Sequence, residues 1–212
     1  MNMLKFNNLI NQLKTITNLN LTRKMNTKID SKLYHEHNIV WFDGEMTGLD
    51  YNHHTLIEAA IIITDKHLNI LAESPNIIIH QSDEVLENME DWSKNQHALS
   101  GLTENVRKSN ISIEQADQTL YDFIKPFTPK GVCPLAGNSI YMDRTFIRKY
   151  MPKLESHLSY RLIDVSTLKE LFKRWKPELA DEAPKKLLQH RALDDIKESV
   201  QELKFYKSCL KL

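Results

Sequence analysis

The chain has 212 residues, 41% hydrophobic and 26% charged, which suits one globular domain with a substantial core, and no apolar run approaches the roughly 20 residues that a transmembrane helix needs. Lysine plus arginine and aspartate plus glutamate both total 28, a formal net charge of zero. That balance argues against a protein that coats long nucleic acid by charge alone and leaves a small anionic ligand open. Cys133 and Cys209 lie far apart without metal-ligand spacing, which points to a reducing compartment.

The first acidic residue is Asp30, preceded by Lys5, Lys14, Arg23, Lys24 and Lys28. Residues 1–32 therefore read as a basic leader with leucine and isoleucine at loosely helical intervals, the profile of a mitochondrial transit segment. A basic leader of no consequence fits the same composition. Initiation at Met25 would give a form without most of it, so mitochondrial location is expected, with a cytoplasmic alternative for that form. Residues 33–212 are expected to form the folded domain.

From Asn38 the pattern becomes globular. Asn38 to Asp43 reads as a buried strand, Leu56 to Thr64 as a second and Asn69 to Ile79 as a third after a turn at Asp65-Lys66-His67, so the three form an antiparallel meander. Residues 81–110 read as mostly helical and polar, and Ile113 to Ile124 as an amphipathic helix ended by Pro126 and Pro129. Val132 to Ala136 is a short strand, Gly137-Asn138 turns into a helix running to Tyr150, Leu162 to Val165 is a further strand, and Ser166 to Trp175 is helical. Leu193, Ile196, Val200, Leu203 and Leu210 mark the last helix. Strands followed by alternating β and α segments describe an α/β fold, a mixed five-stranded sheet flanked by helices.

Chemistry enters at Trp41-Phe42-Asp43-Gly44-Glu45. Strand side chains alternate, so Asp43 and Glu45 project from one face, and two anions so close repel unless a cation lies between them. A solvated strand end explains that pair equally well until two later sites are added. Asp143 lies near the start of the helix after a central strand, and His190 and Asp195 stand at the start of the last helix. Five helical residues rotate by about 140°, so His190 should sit in the loop before the helix if both are to face one site. Four carboxylates and a histidine suit two Mg²⁺ or Mn²⁺ ions roughly 3.5–4 Å apart that grip a phosphodiester, with the histidine taking the proton of the attacking water. Oxygen ligands favour hard cations over zinc.

The triplet Asp43-x-Glu45, a central Asp143 and His190-x4-Asp195, in that order, resemble the DEDDh 3′-to-5′ exonucleases. The blocks Trp41 to Asp50, Gly137 to Ile140, Tyr150 to Leu154, Asp164 to Leu171 and His190 to Ser199 narrow the resemblance to the oligoribonuclease family over Asn38 to Tyr206. It implies a ribonuclease H-like fold, a homodimer, and degradation of short single-stranded RNA, dinucleotides especially, to mononucleotides. By the same resemblance Asp43, Glu45, Asp143 and Asp195 are metal ligands and His190 the general base. Leu49 is then the apolar wedge between two bases, and Trp92 and His97 line the nucleotide pocket. Ser139, Arg161 and Ser166 cap the 5′ phosphate, with Tyr160 and Arg161 supplied by the second subunit.

Gly44 departs from the family pattern, which usually has a larger apolar residue there, and glycine removes packing from a strand. His53-His54 and Asp164 read better as loop histidines and a helix cap than as ligands. Two other functions fit parts of the pattern. One is a DEDDh exonuclease acting on longer RNA or DNA; the other is a catalytically impaired RNA-binding module, which predicts loss of a ligand, whereas all five are present.

Overall fold

A computed structural model describes residues 33–184 and 191–210. The leader, 1–32, and the segment 185–190 with His190 lie outside the described residues.

Strands β1 (Ile39–Met46) and β2 (Leu56–Thr64) form an antiparallel pair in continuous register from Ile39↔Thr64 to Glu45↔Glu58. β3 (Ile70–Glu73) and β4 (Ile77–Ile78) both pair antiparallel with β2. On the other side of β1, β5 (Leu135–Gly137) and β6 (Leu162–Asp164) run parallel to it, giving the order β3-β2-β1-β5-β6 with β4 beside β2. The sheet thus has six strands where five were expected. The third expected strand is cut in two at Pro75, which has no N–H for the ladder. Ser74 closes the break by exchanging hydrogen bonds with Ile61, its Oγ accepting the Ile61 N–H and its own N–H donating to the Ile61 carbonyl, both at 2.8 Å.

Residues 81–110 fold as three short helices, α1 (Asp83–Glu87), α2 (Asp91–Leu99) and α3 (Leu102–Lys108). α4 (Ile113–Ile124) starts at a capping box between Ser112 and Gln115. α5 (Ile140–Tyr150) is followed directly by α6 (Pro152–His157), because a proline that ends one helix is suited to the first position of the next. α7 (Val165–Trp175), α8 (Pro177–Ala180) and α9 (Ala192–Cys209) complete the fold.

The period of two decides which face each strand residue joins. Val40, Phe42, Ile61 and Ile63 pack with Leu120, Ile124, Phe146 and Ile147 of α4 and α5. Ile39, Trp41, Ala60 and Ile62 pack on the opposite face with Val165, Phe172, Ile196, Val200 and Tyr206 of α7 and α9. Asp43 and Glu45 continue the row of Ile39 and Trp41 toward the strand end, and so face the start of α9.

Candidate active site

The two carboxylates of β1 stand where the sheet runs out of apolar cover. β1 continues through Met46 rather than stopping at Asp43, so both acids are held by a paired strand. In α9, Ala192, Ile196 and Val200 recur every four residues and are buried, and Asp195, three after Ala192, shares that face. Asp43, Glu45 and Asp195 each present a carboxylate oxygen, all within 4.8 Å of one another. The Arg191 N–H donates to Asp195 Oδ2 at 3.0 Å, fixing this side chain over the first turn.

Asp143 arrives from the buried side of α5. Its Oδ1 accepts the Gly44 N–H at 3.1 Å, which sets it beside the residue between the two strand acids. Burial, reinforced by Asp195, Glu58 and Asp143, pushes the Glu45 carboxyl up to about 8. Asp143 is pushed up to about 7, by burial against the opposing Gly44 N–H. Such crowding is relieved by a cation, and the donor set is all carboxylate oxygen, which fits a hard divalent ion.

Gly44 pairs with Ala59 in unbroken ladder. A Cβ there would lie 2.9 Å from Leu56 Cδ2 and 3.1 Å from Phe42 Cε1. Neighbouring side chains already fill the space that a larger residue would take, so the strand is regular despite the glycine.

His97 is fully buried on α2, its Nε2–H donating to the Met46 carbonyl at 2.9 Å, with Nδ1 3.9 Å from Glu45 Oε2. It thus forms a wall behind the acid. Leu49 and Trp92 are both 59% exposed and are joined through Glu90, which immediately precedes α2. Glu90 Oε1 accepts the Leu49 N–H at 3.2 Å and lies 3.4 Å from His54 Nε2, while the Glu90 N–H donates to the Thr47 carbonyl at 2.9 Å. Thr47 Oγ1 holds the other ring nitrogen of His54 at 3.1 Å.

Ser139 and Ser166 are brought together with their hydroxyl oxygens 3.2 Å apart. Ser139 has φ 52, left-handed backbone that costs a non-glycine residue roughly 1–2 kcal/mol. Its N–H compensates by donating to Asp164 Oδ1 at 2.9 Å and Ser166 Oγ at 3.0 Å. Asp164 Oδ1 also accepts the Ser166 N–H at 2.9 Å, so it is the helix cap that its position suggested and pins the serine pair as well. Tyr160 is 76% exposed, with the Arg161 guanidinium 5.1 Å from its ring centroid.

Residue-type reasoning passed over Glu58, Arg191 and Glu90. Glu58 carried a signal, being the one charge inside the run Leu56-Ile57-Glu58-Ala59-Ala60-Ile61; a charge in a strand buried on both faces must be paired. Glu90 and Arg191 sit among ordinary surface-type residues and carried none.

The family model described as an exonuclease, RNase_T, matches residues 40–203. The chain is 55% identical over 170 residues to the mitochondrial oligoribonuclease of Homo sapiens, covering 80% of this chain and 72% of that protein. It is 50% identical over 177 residues to the oligoribonuclease of Vibrio parahaemolyticus, covering 84% and 97% respectively. Among solved structures, E. coli exonuclease I in complex with an oligonucleotide superimposes with a TM-score of 0.62 at 15% identity. That likeness concerns the fold alone, and the chain spans 41% of the length of that protein.

Proposed function

The chain belongs to the oligoribonuclease family and is a 3′-to-5′ exoribonuclease, a divalent-metal-dependent phosphodiester hydrolase, and on that premise we propose that its substrates are short single-stranded RNAs, dinucleotides above all. The observation that carries the chemistry is the meeting of Asp43, Glu45 and Asp195 within 4.8 Å, with Asp143 bound to Gly44 between them. Two Mg²⁺ or Mn²⁺ ions held by these four carboxylates would acidify water and stabilise the charge on the phosphodiester and its leaving oxygen.

The residues then divide the work. His190 accepts the proton of the attacking water. The P–O3′ bond breaks, so a 5′-mononucleotide leaves and the remaining RNA keeps a 3′ hydroxyl. Leu49 separates the two bases, and Trp92 offers a stacking face that reads no sequence. His97 keeps Glu45 in place from behind. Ser139 and Ser166 receive the 5′ phosphate, and Tyr160 and Arg161 of a second copy of the chain close over it, the guanidinium supplying a charge-assisted contact. A homodimer is therefore part of the proposal. So is mitochondrial import by residues 1–32; a tagged form starting at Met25 should stay in the cytoplasm, and identical distributions of the two forms would reduce the leader to an inert tail.

Turnover of a 5′-labelled dinucleotide with and without chelator tests the reading. Mononucleotide release that chelator abolishes is the expected result, and metal-independent release or none would overturn it.

A further inference from the structure

Glu58 is fully buried near the start of β2, directly across from Glu45 in the β1–β2 ladder. Residues opposite one another in an antiparallel pair share a face, so Glu58 looks toward α9 beside an acid that it repels. Its partners come from two places. The Asn76 amide donates to Oε1 at 2.5 Å, from the residue after the proline that separates β3 from β4. Arg191 donates to the same oxygen through Nε at 3.2 Å and Nη2 at 3.0 Å, and the Ala192 N–H donates to Oε2 at 3.2 Å.

Arg191 and Ala192 are the residues on which α9 begins. From Arg191 the chain of contacts runs to the site itself, because its N–H is the group that Asp195 Oδ2 accepts. One carboxylate thus grips both the side chain before the helix and the first helical N–H, which fixes the helix along its axis and about it. Rotation matters here: a slip of one residue turns an α-helix by about 100° and would swing Asp195 away from Asp43 and Glu45. A buried ion pair is a weak source of net stability, since apolar residues of similar shape often do as well. An acid next to Glu45 adds repulsion besides. Neither consideration explains the placement of Glu58 as packing.

We propose that Glu58 is a positioning residue of the catalytic centre, which through Arg191 and Ala192 holds the start of α9 in the register that presents Asp195 to Asp43 and Glu45. It acts on metal and substrate only through those residues; the Arg191 guanidinium stands against the oxygen that a cation would otherwise take.

The inference rests on the exonuclease reading for its consequence, and hydrogen exchange tests it without that reading. In metal-free Glu58→Gln the amides of Ala192 and Asp195 should exchange about tenfold faster while those of β1 are unchanged. Outer residues that orient metal ligands typically cost 10- to 100-fold in affinity or activity when altered. Calorimetric titration of Mn²⁺ should accordingly show binding weakened by about that factor, and kcat on the dinucleotide should fall by a similar factor with KM little changed. Arg191→Lys keeps the charge and loses the planar fork. It should show the same pattern more mildly, and it decides the matter if Glu58→Gln does not fold. Unaltered Mn²⁺ affinity and kcat in folded variants, whatever the melting temperature, would overturn the proposal. Inactive wild-type protein with the expected exchange pattern would instead count against the exonuclease reading.

Discussion

The Gly44 N–H donates to Asp143 Oδ1 at 3.1 Å, so the residue between the two strand acids also anchors the acid that comes from α5. A single peptide group thereby ties three carboxylates into one fixed array. The array is costly without a cation, since both Glu45, at about 8, and Asp143, at about 7, titrate well above ordinary carboxylates.

Stability of the metal-free protein should therefore fall as pH rises. The folded state binds protons more tightly than the unfolded one at both groups, so their contribution is fully present below the ordinary range near 4.5 and 3.8 and is lost as pH passes about 7 and 8. Melting temperature in chelator should drop between pH 6 and pH 8.5, and Glu45→Gln should flatten that slope. Mn²⁺ should raise the melting temperature more at the higher pH; equal metal stabilisation at both would contradict the assignment.

Replacing Gly44 by valine should destabilise the protein. The added Cβ would meet Leu56 Cδ2 at 2.9 Å, and overpacking of this kind costs roughly 1–3 kcal/mol. Leu56→Ala should recover part of the loss when combined with Gly44→Val. Thermal melts of the two single variants and the double variant give the coupling, and strict additivity would mean that Leu56 is not what fills the space.

The pattern of Asp43 and Glu45 was legible because a strand sorts its side chains with a period of two, and a paired strand does so here. Asp195 was legible through its place at the start of the last helix, five residues after His190. What could not be read was contact over distance. Arg191 and Glu58 are 133 positions apart, and no local propensity links them. Asn69 to Ile79 reads as one strand by its apolar content although Pro75 lies within it, where the ladder breaks. Glu90 shows the same limit, since its bond to the Leu49 N–H spans 41 positions.

Asp195→Ala and His190→Ala should both abolish turnover, by different routes. The first removes a ligand and should weaken Mn²⁺ binding by at least tenfold; the second removes the proton acceptor and should leave binding nearly intact. Calorimetric titration separates them. Equal loss of metal in both variants would mean that the two roles are wrongly assigned.

Glu90→Ala should loosen the Leu49 loop without touching the acids. Its carboxylate links the Leu49 N–H to His54 from a partly exposed position, where such contacts are worth little individually. A several-fold rise in KM for the dinucleotide with kcat nearly constant is the expected steady-state result. A fall in kcat at constant KM would place Glu90 in the chemistry instead.

On the proposed function the site accepts two nucleotides and is closed beyond them. If Leu49 wedges between the bases while Arg161 of a second copy caps the 5′ phosphate, each further nucleotide must displace that cap. A charge-assisted phosphate contact is worth about 1.5–3 kcal/mol, so Arg161→Ala should lower dinucleotide affinity roughly ten- to a hundredfold and narrow the preference over longer RNA. The measurement is binding of 5′-phosphorylated RNAs of two to seven nucleotides to wild type and Arg161→Ala. Affinity should be highest for the dinucleotide and fall with length in wild type, with the slope largely lost in the variant; length-independent affinity in wild type would rule out a closed pocket and favour an exonuclease of longer chains.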